Sequence, residues 1–355
     1  MQLKNMLQFK MSWARASGPY SDVALSSRVR LARNLKSHPF PCRADAEALS
    51  AVRNEVFNAA KDTRLKDAAR IELEEVTAID RLFLLERHLI SPVLAKQPEN
   101  RGVLVGEDEE LSLMVNEEDH LRLQGIDSGL CLSELAKTVL AADDELSRRL
   151  KVAFQPQWGF LTACPTNTGT GMRASVLVHL PALALTGEIN RILDGLSRLG
   201  IITRGLYGEG TRVMGDFYQI SNSTALGLSE IEIVDAITRV VDSLIQKETA
   251  ARHNLIGGAR KLRLEDLVYR ALGVLGSARM LAYEESLQHL SYVRMGLTLG
   301  WKMPTDINTV NELLVLGQPA HIQMLAAKKL DTGDRDFLRA TLFRRKFNKK
   351  SKEQP

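Results

Sequence analysis

Arginines recur along this chain on segments that alternate like strands, and acidic residues stand close to several of them. Arg28 and Arg30 lie two apart in SSRVRLARN, so on an extended segment they point to one side. Arg122 sits in the alternating run HLRLQG, next to the acidic run NEEDH (116–120). Arg173 follows the glycine-rich stretch CPTNTGTGMRAS (164–175), and Arg204 lies in IITRGLYG. A guanidinium offers a rigid fork of donors suited to phosphate oxygens. Each arginine alone reads as a solvated surface charge. Gathered on one sheet face, they would make a polyanion site. The acidic residues have a complementary reading. Glu117, Glu118 and Asp119 form the densest acidic cluster beside a strand, and Glu209 stands between Gly208 and Gly210. Singly these are loop carboxylates; a pair of them would grip a planar guanidinium.

The stretch CPTNTGTGMRAS raises a rival chemistry, because Gly169, Gly171 and Ala174 fit the dinucleotide fingerprint G-x-G-x-x-A. That fingerprint requires a strand, a glycine turn and then a helix whose N-terminus takes the pyrophosphate. Here the residues after the glycines, ASVLVHL, are β-branched and strand-like. A P-loop fails too, since no Gly-Lys-Ser/Thr follows at the required distance. A plain turn explains the glycines and leaves Cys164 and Arg173 unexplained.

The elements that must position these residues form two regimes. Short alternating segments, among them IELEEV (71–76), GVLVG (102–106), LSLMVN (111–116), HLRLQG (120–125), FLTAC (160–164), ASVLVHL (174–180), IITRGLYG (201–208) and DFYQISN (216–222), predict an antiparallel sheet. Helical patterns cover 45–60, the run IDRLFLLERHLI into Pro92, 130–150, 183–199 and about 229–253. After Gly257-Gly258 the chain reads as helical almost to its end, with signals near 262–274, 284–299, 306–316 and 335–347. The expected organisation is α+β, with a sheet domain over 1–257 that includes a short lead (1–22). A helical domain over 258–348 and a basic tail over 349–355 follow.

Composition narrows the partners. The 355 residues are 45% hydrophobic and 25% charged, ordinary for a globular protein. A net charge of +4 is too small to argue direct nucleic-acid binding. No apolar run is long enough to span a membrane. Cys42, Cys131 and Cys164 are odd in number and scattered, which argues against a disulfide framework or a zinc knuckle and fits a reducing, cytoplasmic setting. No metal cage built from side chains is expected.

SSRVRLAR, VNEEDHLR, CPTNTGTGMRAS and TRGLYGEG resemble, in order, the catalytic motifs of the phosphagen (guanidino) kinases. ERHLISP (86–92), HLPAL (179–183) and YQISN (218–222) corroborate the match, which spans about residues 20–350. The resemblance is closest to the branch that phosphorylates arginine in proteins. It implies an antiparallel sheet of about eight strands flanked by helices, with ATP and Mg²⁺ at the site. It implies phosphate contacts from Arg28, Arg30, Arg122, Arg173 and Arg204, and a nucleotide contact from His88. The stretches Ser26, Ser27, Arg28, Val29, Arg30, then Arg173, Ala174, Ser175, Val176, Leu177, and Arg204, Gly205, Leu206, Tyr207, Gly208, Glu209 are the expected nucleotide-binding segments. Glu118 and Glu209 would hold the substrate guanidinium, with Glu118 as base. Glu117 is the alternative to Glu118, and Cys164 would stand beside the guanidinium. Leu177 departs from the small-substrate branch, which tends to carry histidine there.

In the small-guanidine branch a helical domain carrying a lid precedes SSRVR. SSRVR begins here at residue 26, so the expectation is an open site that admits an arginine presented on a protein. The C-terminal helices carry RDFLRA, in which Arg335 and Arg339 share a helix face. The residue reading is a solvated basic helix. The resemblance implies a phosphoarginine pocket of Arg335, Asp336, Phe337, Leu338, Arg339 and Ala340 that activates the enzyme. It further implies a stress-gene repressor as substrate, an activating zinc-binding partner protein, a Clp-type protease that degrades the tagged proteins, and a homodimer or larger assembly. A kinase of free arginine and a non-catalytic phosphoarginine adaptor are the alternatives.

Overall fold

Period-two alternation decides the architecture. The computed structural model describes residues 3–7, 11–206 and 213–349. Its strands are β1 (Ala24–Arg33), β2 (Ala69–Glu72), β3 (Gly102–Val105), β4 (Leu111–Val115), β5 (Leu121–Ser128), β6 (Phe154–Gln155), β7 (Gly159–Phe160), β8 (Met172–His179), β9 (Ile201–Arg204) and β10 (Phe217–Asn222). Eight of them form one antiparallel sheet in the order β2-β3-β4-β5-β1-β8-β10-β9, while β6 and β7 form a separate hairpin. The helices of the first part are α1 (Ala46–Ala60), α2 (Ala78–Glu86), α3 (Pro92–Lys96), α4 (Leu132–Ser147), α5 (Pro181–Leu185), α6 (Ile189–Arg198) and α7 (Glu230–Leu255). The second part is helical: α8 (Ala259–Ser277), α9 (Tyr283–Thr298), α10 (Ile307–Leu316), α11 (Pro319–Ala326) and α12 (Thr332–Lys349).

One face of the sheet is apolar. Val29 and Leu31 of β1 share it with Leu123 of β5, Ala174 and Val176 of β8 and Ile220 of β10. Val52 and Val56 of α1, Val139 of α4 and Ile237 and Val241 of α7 complete this core. α7 begins with a capping box between Ser229 and Glu232, which satisfies N–H groups its first turn leaves open. The second core joins Leu25, Leu177 and Phe217 of the sheet domain to Leu287, Leu290 and Val293 of α9 and Phe343 of α12. Polar bonds fix the same junction. His179 Nε2 lies 2.8 Å from Ser291 Oγ, Arg294 Nη1 donates to His179 Nδ1 at 3.0 Å, and Arg294 Nη1 also donates to the Asp22 carbonyl at 2.8 Å. Burial first, then the Arg294 charge, pushes the His179 pKa far down, so the ring is neutral and accepts at Nδ1.

Several elements differ from the periodicity reading. FLTAC contributes only Phe160 to a strand, and Cys164 instead leads into a single 3-10 turn, Pro165–Asn167. IELEEV is strand only through Glu72. The helix expected over 183–199 is two helices, broken at Thr186-Gly187, where Gly187 takes a left-handed φ of 76°. α2 stops at Glu86, and His88 takes a φ of 63°. α11 is an additional helix, short and opened by Pro319.

Arg33 lies on the sheet face opposite Arg28 and Arg30. Its Nε and Nη2 donate to Asp143 Oδ2 at 3.1 and 2.7 Å, its Nη1 donates to the Ala32 and Thr170 carbonyls, and its guanidinium lies 3.4 Å from the Phe160 ring centroid. Burial holds the Asp143 pKa up and the Arg33 pKa down in spite of their attraction. Such a pair contributes little net stability while intact, yet removing one partner strands a buried charge. Asp143→Ala is therefore expected to lower unfolding stability by about 3–5 kcal/mol, read from urea denaturation. A loss indistinguishable from zero would contradict this account.

Candidate active site

The sheet face opposite the core gathers the arginines. Arg28 and Arg30 occupy alternate positions of β1 with Val29 between them. Arg30 stands across from Arg173 of β8 and from Gln124 of β5, and Arg122 stands across from the next position of that face, Ala32. Across β10, Gln219 pairs with Arg204 of β9 and with Leu177 of β8. All five arginines thus project from one face, although they come from four strands. Like charges directly opposite on a sheet repel. The Arg28 pKa falls to about 9, first by burial and then by the charges of Arg122, Arg173 and Arg204. Arg30 is pushed well below its ordinary range by burial, Arg28, Arg122 and Arg173, with Glu117 acting in the opposite sense. Arg30 Nε is buried and has no hydrogen-bond partner. A buried, unpartnered Arg30 donor and crowded positive charge both fit a polyanion such as a triphosphate.

A recess over this face is lined by Ser26, Arg28, His88, Ile126, Ser175, Leu177, Leu206 and Gln219. Gln219 Nε2 donates to Ser175 Oγ at 3.0 Å. Burial, then the Arg28 and Arg30 charges, holds His88 neutral with a pKa of about 3. Its ring packs edge-on against Trp13 at 5.1 Å between centroids. A larger surface groove between α6 and α7 contains none of these residues.

The acidic run NEEDH makes the turn between β4 and β5, with Asn116 at a φ of 60°. The two glutamates separate there. Glu117 is buried and accepts from Arg122 Nη1 at 2.7 Å and from the Glu118 N–H at 2.9 Å. Burial alone would raise its pKa, but Arg122 and hydrogen bonds from Ser91 and Glu118 hold it below the ordinary value. Glu118 is exposed. Asp119 ties this turn to the segment before Cys164, because its Oδ1 accepts from Asn34 Nδ2 and from the Ala163 N–H, both at 2.6 Å. Cys164 is half-buried with Sγ 3.0 Å from Thr166 Oγ1. The chain then turns at Gly171, at a φ of 66°, where a Cβ would lie 2.6 Å from the Ala32 carbonyl oxygen. β8 follows directly, so the glycines serve a strand-to-strand turn and no helix N-terminus.

Alternation divides the expected nucleotide segments between the two faces. Ser27, Val29, Ala174 and Val176 face the core side: Val29, Ala174 and Val176 are packed in the apolar core, and Ser27 Oγ donates to the Gly129 carbonyl and accepts from the Cys131 N–H. Ser26, Arg28, His88, Ser175, Leu177 and Leu206 share the recess, and Gly205 directly follows Arg204. Tyr207, Gly208 and Glu209 lie outside the described residues. Asn34 and Gln219 carry no signal in the motifs, and Asp119 stands in the sequence only as a member of the acidic cluster. Asp119 is visible in the motif, but its role depends on which way the turn folds, and Gln219 is found by counting positions along β10.

In the C-terminal helices, Arg335 Nη1 donates to the Leu330 carbonyl at 2.8 Å and Nη2 to Thr332 Oγ1 at 3.0 Å. Arg339 does not join it on an open face. It is buried, with Nε donating to the Gly317 carbonyl at 2.5 Å and Nη1 to the Leu281 carbonyl at 2.8 Å and to Asp336 Oδ1 at 2.5 Å. In this arrangement the Nε and Nη1 donors of Arg339 anchor α12 and orient Asp336. Ala340 is buried, while Phe337 is exposed and Leu338 half-buried.

Residues 49–251 match the ATP:guanido phosphotransferase C-terminal catalytic domain, and residues 261–355 match the protein-arginine kinase McsB C-terminal domain. A protein-arginine kinase of Halothermothrix orenii is 42% identical over 349 residues, covering 98% of this chain and all of the relative. That of Bacillus subtilis is 41% identical over 352 residues, covering 98% and 96%. The chain belongs to the protein-arginine kinases of the ATP:guanido phosphotransferase family. Among solved structures, the duplicated taurocyamine kinase of Schistosoma mansoni with bound transition-state-analogue components superposes at a TM-score of 0.60 with 26% identity, over 73% of this kinase and 39% of that longer chain. Lombricine kinase shares the fold at a TM-score of 0.59 and 22% identity, over 71% and 78%. The kinase is thus a phosphotransferase to a guanidino nitrogen, built on an antiparallel sheet with a helical C-terminal part. Among its described residues no helix is long and apolar enough to cross a membrane.

Asp119 is the cross-link that sets the acidic turn against the Cys164 segment. Asp119→Ala is expected to lower kcat about 100-fold, the scale of a small misplacement of reacting groups, with ATP affinity retained. Steady-state kinetics and nucleotide titration check this, and an unchanged kcat would remove Asp119 from the site.

Proposed function

We propose that this kinase transfers the γ-phosphoryl group of ATP to arginine side chains presented on proteins. The observation that supports this reading most is the convergence of Arg28, Arg30, Arg122, Arg173 and Arg204 on one face, with Arg30 Nε unpartnered and the Glu117–Glu118 turn beside Arg122. In-line phosphoryl transfer needs positioning and charge neutralisation more than covalent help. The arginines take the triphosphate oxygens and the charge that develops on them. Ser26, His88, Ser175, Leu177 and Leu206 bound the nucleotide recess. Mg²⁺, when bound with the nucleotide, would supply further neutralisation of the triphosphate charge.

The substrate guanidinium stays protonated at neutral pH, since its pKa exceeds about 12. Glu118, exposed at the turn, orients it and takes a proton. The nitrogen lone pair then forms the N–P bond while the bond from the γ-phosphorus to the bridging oxygen breaks and leaves its electrons on ADP. Glu117, held by Arg122, keeps that arginine in place. Glu209 is the second clamp, and Cys164 contacts the guanidinium. In α12, Asp336 reads the guanidinium of a phosphoarginine and Arg335 its phosphate, with Arg339 holding Asp336, and occupancy activates the enzyme. The family further points to a cytoplasmic homo-oligomer whose substrates include a stress-gene repressor. It also points to a zinc-binding activator and a Clp-type protease that removes the tagged proteins.

Mass spectrometry of an unfolded protein treated with the kinase and ATP, under conditions that preserve acid-labile N–P bonds, is expected to find phosphate on arginine. Modification of free arginine alone would overturn the reading. Glu209→Ala is expected to abolish transfer while nucleotide binding persists, and unchanged transfer would exclude Glu209 from the mechanism. Asp336→Ala is expected to weaken binding of free phosphoarginine at least tenfold, by loss of a charge-assisted pair; wild-type affinity by calorimetry would sink the pocket.

A further inference from the structure

Three consecutive residues at the end of α2 are each held by a different partner. Glu86 reaches α11: its Oε1 accepts from the Ala320 N–H at 2.7 Å, and its Oε2 accepts from the His321 N–H at 2.9 Å and lies 2.7 Å from His321 Nδ1. Gln318 Nε2 adds a bond to the Glu86 carbonyl at 3.2 Å. Arg87 makes a buried two-pronged pair with Glu109, Nη2 to Oε1 at 2.6 Å and Nε to Oε2 at 2.9 Å. His88 lines the nucleotide recess in a left-handed conformation, and its carbonyl accepts from Gln124 Nε2 at 2.7 Å.

The far end of α11 leads to α12. Gln323 Oε1 accepts from the Leu330 N–H at 3.1 Å, and the Leu330 carbonyl accepts from Arg335 Nη1. α11 therefore spans from the arginine that opens the RDFLRA segment to the residue two positions before His88.

The chemistry at Glu86 suits a carboxylate and no neutral substitute. The first N–H groups of a helix have no partner within it, and a carboxylate there is also favoured by the helix dipole. Burial, against the pull of Glu86, keeps the His321 pKa below its ordinary value. The ring is therefore neutral and Nδ1–H donates to Glu86, leaving Nε2 buried without a partner. Three donors thus converge on one side chain that has only acceptors. Glutamine would offer one oxygen and turn an amide donor toward N–H groups. His88 stands at a positive φ with its carbonyl bound by Gln124 Nε2 and Trp13 against its ring, and Glu86, two residues before it, ties this end of α2 to α11. We propose that Glu86 is a positioning residue that fixes His88 over the nucleotide recess. Through α11 it couples phosphoarginine at Arg335–Asp336 to ATP affinity. This rests on the reading of α12 as a phosphoarginine site and of the recess as the nucleotide site.

The test uses the full chain, an unfolded arginine-containing protein as phosphoryl acceptor, and free phosphoarginine as effector. Glu86→Gln is expected to raise the KM for ATP about tenfold, within the usual range of site coupling, with the KM for the protein substrate unchanged and activation by phosphoarginine lost. Gln323→Ala is expected to keep the wild-type KM for ATP without effector and to bind phosphoarginine by calorimetry, yet to lose at least about fivefold of its activation. His321→Leu removes one donor and leaves the backbone cap. It is expected to raise the KM for ATP by about fivefold, as one lost hydrogen bond would, and it serves should Glu86→Gln not fold. A wild-type KM for ATP in both Glu86→Gln and His321→Leu would overturn the positioning role. Full activation in Gln323→Ala with phosphoarginine bound would overturn the coupling. Absence of phosphoarginine binding to the wild-type protein would instead remove the α12 reading, and the KM for ATP of Glu86→Gln would still judge the positioning role by itself.

Discussion

Repulsion among guanidinium groups on one sheet face is the constraint around which the molecule is organised. Burial and mutual repulsion both act against the charged forms of Arg28 and Arg30, so the face is costly to assemble without an anion. The strands that carry it are held from behind by an apolar core shared with α1, α4 and α7. Rigidity there is what lets positive charge be kept close and aimed outward. A ligand that neutralises it contributes to folding as well as to binding, because the native state alone offers the site.

The same principle separates arginines that look alike in sequence. Arg28, Arg30 and Arg33 lie within six residues. The first two stand on the charged face, while Arg33 turns to the other side and meets Asp143, two carbonyls and an aromatic ring. Glu117 and Glu118 divide similarly, one committed to Arg122 and the other exposed. Adjacent residues of one type take different work because the backbone sends them to different surroundings.

Much of this is legible in the sequence. The short alternating segments predict an antiparallel sheet, and the spacing of Arg28 and Arg30 places them on one side of it. Contiguous motifs overreach in one respect: they treat every residue as a contact, whereas alternation sends Ser27, Val29, Ala174 and Val176 to the core face. The orientation of the NEEDH turn is not encoded locally, because it depends on Asn116 at positive φ and on Asp119 meeting Asn34 and Ala163 far along the chain. RDFLRA shows the same limit. Helical spacing places Arg335 and Arg339 together, but the Gly317 and Leu281 carbonyls that claim Arg339 come from other helices. α11 carries a weak signal because a short helix opened by proline, with four consecutive residues buried, lacks the long periodic face that marks a helix in sequence.

The alternation along β1 also bears on how the chain avoids misfolding. A slip of one residue against β5 or β8 would drive Arg28 and Arg30 into the apolar layer and turn Val29 and Leu31 out to water. Burying two guanidinium groups among apolar side chains is costly unless each finds a partner, so such alignments are penalised more heavily than in an ordinary amphipathic strand. The residues that make the sheet face suited to phosphate thereby act as a proofreading device for its assembly.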